Sequence, residues 1–385
     1  MDDWQNGGFG LYLHWPFCES KCPYCDFNSH VAAKIDQNRW QAAYLAEIDR
    51  LGRKTRGRVL DTVFFGGGTP SLMDPTLVNA IIEKVRATWP MRNDPEITLE
   101  ANPGSIEAGR FRGYREAGVN RVSMGMQAMN DADLHRLGRR HTAEEARKAF
   151  EIARNCFDRV SFDLIYARQD QNLHDWRREL TAALDLAVDH LSLYQLTIED
   201  GTAFADRFAR GGLKGLPTED LAADMYEATQ EVCDRFGMSA YEVSNHAKPG
   251  AESRHNLIYW RGGDYMGIGP GAHGRLSLDG TRWATEAPKP PGAWLSMVEA
   301  GKPGDQSKQA MSAEEHGLEY LLMALRLSEG LDLKRYTAVS GAELDSTNVQ
   351  ELVDLGAVTL AADRLIVTPA GRLLLNAVIR KLAGA

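Results

Sequence analysis

The chain has 385 residues, 43% hydrophobic and 25% charged, the balance of a globular protein with room for one large domain and a smaller one. Its net charge of −9 argues against broad nucleic-acid binding. No apolar run approaches the length of a membrane span, and the start, Met1-Asp2-Asp3-Trp4, has neither a basic nor an apolar leader, so the expected compartment is cytoplasmic.

Six short apolar or β-branched runs follow in chain order: 11–15 (LYLHW), 63–65 (VFF), 97–99 (ITL), 121–124 (RVSM), 160–166 (VSFDLIY) and 191–196 (LSLYQL). Helical patterns separate them, over 37–53, 75–88, 105–116, 143–155 and 173–188. Strand alternating with helix at this spacing predicts βα units and a parallel sheet. Six such units build either a doubly wound sheet or an incomplete TIM-like barrel, and periodicity alone does not choose. Polar residues collect at or near the ends of the runs: the cysteines after the first, Gly66-Gly67-Gly68-Thr69 after the second, then Glu100, Gln127, Asp163 and Gln195. Ligands of α/β folds bind at the carboxyl ends of parallel strands, so these residues form one candidate site.

Past residue 200 the pattern changes. A helix is expected over 219–236, then a polar, glycine-rich stretch over 241–275, then a connector, Pro288-Lys289-Pro290-Pro291-Gly292. The remainder reads as helices over 312–327 and 343–355, a hairpin over 358–368 and a last helix capped by Thr368 with Pro369 at its first position. The expected division is a barrel with its extension over 1–285 and a helical, winged-helix-like domain over 286–385.

Three of the five cysteines, Cys18, Cys22 and Cys25, crowd one loop in the spacing C-x3-C-x2-C. A reducing compartment disfavours disulfides, so the cluster points to metal. Structural zinc wants four ligands, usually from two paired knuckles, and no second pair exists; His30 follows without finger spacing. An iron–sulfur cluster usually takes four cysteines. Three leave one iron without a protein ligand, where a substrate or cofactor can bind. Cys156 and Cys233 stand alone and read as small buried hydrophobes.

This spacing, with the aromatic Tyr24 before the third cysteine, resembles the signature of radical S-adenosylmethionine (SAM) enzymes. "LYLHWPFCESKCPYCDFNSH", "FFGGGTPSL", "LEANPGS", "RVSMGMQ", "LHRLGRRHT" and "FDLIY" occur in the order found in the HemN/HemW group of that superfamily. The resemblance implies a partial (β/α)6 barrel holding a 4Fe–4S cluster through Cys18, Cys22 and Cys25, with SAM on the open iron. It further implies that Tyr12, Gly67, Gly68, Thr69, Glu100, Gln127, Arg139 and Asp163 line the SAM site. Their polar groups suit ammonium, carboxylate and ribose hydroxyls.

Two activities compete within the group. Oxygen-independent coproporphyrinogen III oxidase carries a fourth cysteine two residues after the third; here that position is Phe27, and only seventeen residues precede Cys18. "CPYCDFNSH" and "HNLIYW" (residues 255–260) instead resemble the HemW heme chaperones, whose HNxxYW motif is linked to heme binding. The resemblance implies a heme chaperone, with heme contacted by His255 and Tyr259, that passes heme to a respiratory hemoprotein, with partner-driven membrane association and a homodimer left open. A zinc-stabilised binding module is the alternative outside radical chemistry. "GPGAHG" (residues 269–274) fits GxGxxG formally, but it contains Pro270 and no Rossmann helix follows, so it reads as a turn. "ARQDQ" (residues 167–171) replaces the Gly-Leu-Pro-Gly-Gln-like stretch common in the group.

Overall fold

The structure, a computed structural model, describes residues 3–32 and 34–384, without the side chains of residues 105–108. Met1, Asp2, Ala33 and Ala385 fall outside it. Six parallel strands lie side by side: β1 (Phe9–Trp15), β2 (Leu60–Gly67), β3 (Met91–Ala101), β4 (Arg121–Gln127), β5 (Arg159–Tyr166) and β6 (His190–Gln195). The helices between them are α1 (Gln37–Lys54), α2 (Pro75–Thr88), α3 (Ser105–Ala117), α4 (Ala143–Cys156) and α5 (Leu173–Leu186). Their starts carry the expected chemistry. Asp36 caps α1, Asp74 caps α2 ahead of Pro75, and Thr142 with Glu145 forms a capping box on α4.

Strand order in space follows chain order without reversal, and α1 packs on α2, α2 on α3 and α3 on α4. A doubly wound sheet reverses at a switch point; this one does not, which decides for the partial barrel. The two strand faces differ in kind. Leu11, Leu13, Val63, Phe65, Ile97, Leu99, Val122, Met124, Phe162 and Leu164 face the helices and are at most 2% exposed. The alternate set, Tyr12, Phe64, Glu100, Ser123, Asp163 and Ser192, pairs strand to strand around the lumen. The apolar core therefore lies between sheet and helices, and the inside of the barrel is polar.

The barrel does not close. β7 (Asp264–Ile268) adds in parallel outside β1, followed by antiparallel β8 (His273–Leu278), β9 (Thr281–Glu286) and β10 (Ser307–Ala310). Asn245–Ala247 runs antiparallel on β6 at the other edge. Between β9 and β10, the helix Pro291–Glu299 lies on α1, with Trp294 flat against Trp40 at 5.5 Å and Arg39 paired with Glu299. Barrel-side packing thus continues to Ala310, and the expected division at 285/286 falls inside it. The C-terminal part has its own core, including Leu321, Leu325, Leu331, Leu365 and Val378. There a further helix, Leu333–Ser340, lies between the two expected ones. The last helix is interrupted between Arg372 and Leu375, after Thr368 caps its first turn.

Candidate functional site

A cleft of about 540 Å³ opens at the carboxyl ends of the strands. Cys18, Cys22 and Cys25, all half-buried, form one wall with Tyr24 and Phe27. Gly67, Gly68 and Thr69 from the end of β2, Glu100 from β3, Gln127 from β4 and Asp163 from β5 form the rest with Arg139. The residues singled out in the first six runs therefore converge, with the exception of Tyr12. Its ring lies deeper in the lumen, stacked on Phe64 at 6.2 Å, and its hydroxyl is 3.0 Å from His14 Nδ1.

The glycines are required by contact. Gly67 has φ +114, and a Cβ there would come within 2.7 Å of the His14 ring. A Cβ on Gly68 would come within 2.7 Å of the Phe17 carbonyl oxygen. The turn can then press on the cysteine loop: Gly68 N donates to Trp15 O at 2.7 Å and Thr69 N to Phe17 O at 2.8 Å. Gln127 ends β4 at φ 72, beside a register shift, and its amide folds back over Gly125, where a Cβ would lie 2.8 Å from Gln127 Nε2.

Each of two thiols has a donor aimed at it. Thr69 Oγ1 donates to Cys18 Sγ at 3.4 Å, and Arg139 Nη1 to Cys22 Sγ at 3.3 Å. Arg139 is fixed by Asn102 Oδ1 at 2.8 Å and by the Gly125 carbonyl at 3.0 Å. Such donors tune metal-bound thiolates. No three His, Cys, Asp or Glu side chains among the described residues converge on a single ion position. A zinc ion draws its ligands to one point, whereas a four-iron cluster takes one thiolate at each of several corners. Three half-buried thiols on one wall of the cleft, two of them met by donors, suit a cluster held at three of its irons.

The two carboxyl groups are held above their ordinary range. Burial, reinforced by Asp163, raises Glu100 from 4.5 to about 8, although Gly67 N donates to it at 3.1 Å. Burial likewise raises Asp163 from 3.8 to about 6, against the pull of Ser192 and Ser123. A cationic or hydroxyl-bearing ligand would relieve both. At the mouth, burial and the neighbouring Arg139 charge lower His141 to about 4, so it is a neutral imidazole.

His255 and Tyr259 are elsewhere. They share the helix Arg254–Trp260, as i and i+4 require, but this helix packs at the amino ends of β1 and β2. His255 Nδ1 is 2.7 Å from Thr62 Oγ1 and Nε2 is 2.7 Å from the Tyr259 hydroxyl. The ring lies on Phe64 at 4.9 Å and is 1% exposed; burial, then the Arg121 charge, lowers it to about 3. Glu96, also buried, accepts from Arg254 N at 3.2 Å and His255 N at 3.1 Å. The pair is a bonded floor of the barrel, not part of the cleft. Asn102, which follows Glu100 at the end of the third run, also lines the cleft, and so do Tyr194, Arg140 and His141, which no sequence signal marked.

Residues 12–182 match the radical SAM superfamily, and residues 311–374 match the HemN C-terminal domain. The chain is 37% identical over 374 residues to heme chaperone HemW of Escherichia coli (strain K12), covering 96% of each. It is 37% identical over 380 residues to heme chaperone HemW of Mycobacterium tuberculosis (strain ATCC 25618 / H37Rv), covering 98% of this chain and 95% of that one. It is 40% identical over 326 residues to radical S-adenosyl methionine domain-containing protein 1, mitochondrial, of Bos taurus, covering 83% of this chain and 74% of that one. The solved structure of coproporphyrinogen III oxidase (HemN) from Escherichia coli superposes with a TM-score of 0.82 at 21% identity, over 99% of this chain and 91% of that one, a likeness of fold.

Proposed function

This chain belongs to the radical SAM superfamily, in its HemN/HemW group, and from that membership we propose that it is a heme chaperone which binds a 4Fe–4S cluster, SAM and heme and passes heme to a respiratory hemoprotein. The observation that carries the reading is the near-full-length likeness to two heme chaperones, joined to a cysteine loop with Phe27 at the position of the oxidase's fourth cysteine. Cys18, Cys22 and Cys25 would hold the cluster, which when bound supplies the electron for SAM cleavage. Glu100 and Asp163 would accept from the SAM ammonium and hydroxyls, and Arg139 would pair with its carboxylate while holding Cys22.

Heme is the cargo in this reading. A heme iron that takes His255 as ligand must displace the Tyr259 or the Thr62 hydrogen bond, because both ring nitrogens are engaged. Heme binding through this motif would therefore open the barrel floor. Among the described residues no helix is long and apolar enough to cross a membrane. The fold likeness to HemN keeps one second reading, oxidative decarboxylation of coproporphyrinogen III.

One paired assay separates them. Hemin added to the anaerobically reconstituted protein is expected to shift its Soret band at about one equivalent, weakened by His255→Ala. No hemin binding, together with conversion of coproporphyrinogen III in the presence of SAM and reductant, would overturn the chaperone reading.

A further inference from the structure

The turn 269–274, set aside above as a nucleotide site, meets the cysteine loop at Asn28, three residues past Cys25. Asn28 is engaged through both ends of its carboxamide and through its backbone carbonyl. Its side-chain NH2 donates to the carbonyls of Pro270 and Lys289, each at 2.9 Å. With both donors so placed, its carboxamide oxygen accepts from His30 Nε2 at 3.0 Å. Its backbone carbonyl accepts from His14 Nε2 at 2.9 Å. That proton leaves His14 Nδ1 as an acceptor, and the Tyr12 hydroxyl donates to it at 3.0 Å.

The receiving turn is shaped for this contact. Gly271 has φ +74, and a Cβ there would come within 2.6 Å of Asn28 Nδ2. Gly269 has φ +115, and a Cβ there would come within 2.3 Å of the His14 carbonyl oxygen. Gly271 N donates to Pro288 O at 3.0 Å, which binds the turn to the connector that also receives Asn28. The base of the cysteine loop is otherwise closed by the short parallel pairing of Phe17 with His30 and Cys18 with Val31. The loop's own backbone adds the Cys25 N to Cys22 O bond at 3.1 Å. Much of its pose is thus imposed from outside, by segments 242 and 261 positions away in sequence.

We propose that Asn28, backed by His14 and received by the Gly269–Gly274 turn, is a positioning residue that sets the pose of the three-cysteine loop before any metal arrives. The consequence for a bound cluster rests on the reading given above; the pose of the loop does not. The segment from the barrel floor through β7 to this turn would then be as necessary to the cluster as the cysteines' own strand.

The test uses the full chain, with two readouts on Asn28→Ala, Asn28→Gln and Gly271→Ala, and Val31→Ala as an exposed control in the same loop. In the metal-free protein, amide hydrogen exchange over residues 18–32 is expected to quicken about ten-fold in Asn28→Ala while α1 and α2 stay at wild-type rates. In the anaerobically reconstituted, reduced protein, the EPR spectrum with SAM is expected to shift or broaden in Asn28→Ala and Gly271→Ala, and to stay unchanged in Val31→Ala. Asn28→Gln keeps both donors one methylene further out and should fall between; it carries the test if the alanine variants do not fold. Wild-type exchange over 18–32 in Asn28→Ala or Asn28→Gln, or a quickening spread evenly over the barrel, would overturn the proposal. A wild-type protein that takes up no iron would overturn the cluster reading and leave the exchange result to decide the loop's pose.

Discussion

The two ends of the barrel are built from equally conspicuous sequence, yet one is open and the other closed. At the carboxyl ends, two thiols accept weak bonds and burial holds two carboxyl groups above their ordinary titration range beside a 540 Å³ cleft. At the amino ends, His255 has both nitrogens bonded and Glu96 accepts from two backbone amides. Groups whose bonding capacity is spent on the protein hold a fold; groups left short of partners are where a ligand completes the bonding. A motif such as HNLIYW therefore has to be located before its chemistry is assigned.

The largest effect expected is at the open end. Cys18→Ala, Cys22→Ala or Cys25→Ala should reduce iron after anaerobic reconstitution from about four per chain to near none, with little change in the Tm of the metal-free protein. At the closed end the order inverts. His255→Ala removes two buried hydrogen bonds and a stacked ring, and should destabilise the metal-free barrel by about 2–4 kcal/mol in denaturant titration. If it instead left stability unchanged, the floor would not be structural.

Next in size is Glu100→Gln, expected to weaken SAM binding about ten- to hundred-fold in calorimetry. The same residue gives the open end a pH signature. Glu100 and Asp163 titrate above their ordinary values, near 8 against 4.5 and near 6 against 3.8. Their contribution to the ligand-free fold is full below the ordinary values. It is lost as pH rises, through about 6 for Asp163 and about 8 for Glu100. Tm without ligand should therefore fall between about pH 4 and pH 8, and Glu100→Gln should flatten the upper part of that fall. The smallest effect belongs to Phe27→Cys. The side chain is 58% exposed, so stability should move by less than about 0.5 kcal/mol, and the iron count should stay the same.

The barrel was legible because its strands alternate, but only their apolar cores showed. Val63–Phe65 is the visible part of Leu60–Gly67, since Thr62 and Gly66 turn to the lumen and break the apolar run. β10 was invisible: Ser-Lys-Gln-Ala is wholly exposed and carries no strand pattern, so the domain division was drawn too early. The cleft was legible where its residues sit at strand ends, as Gly67, Glu100 and Gln127 do. Tyr12, assigned to it by resemblance, does not line the cleft in this structure; its ring stacks on Phe64. Asn28 acts across a chain separation that no local pattern encodes, whereas Asn102 was marked only by its place beside Glu100.

The open end is expected to take a cluster through three cysteines, with one iron left for SAM. Iron and sulfide should be counted on the anaerobically reconstituted chain, and the EPR spectrum of the reduced protein recorded with and without SAM. About four of each per chain, and a spectrum that SAM alters, is the expected result. Stoichiometric zinc, or a cluster whose spectrum ignores SAM, would contradict it.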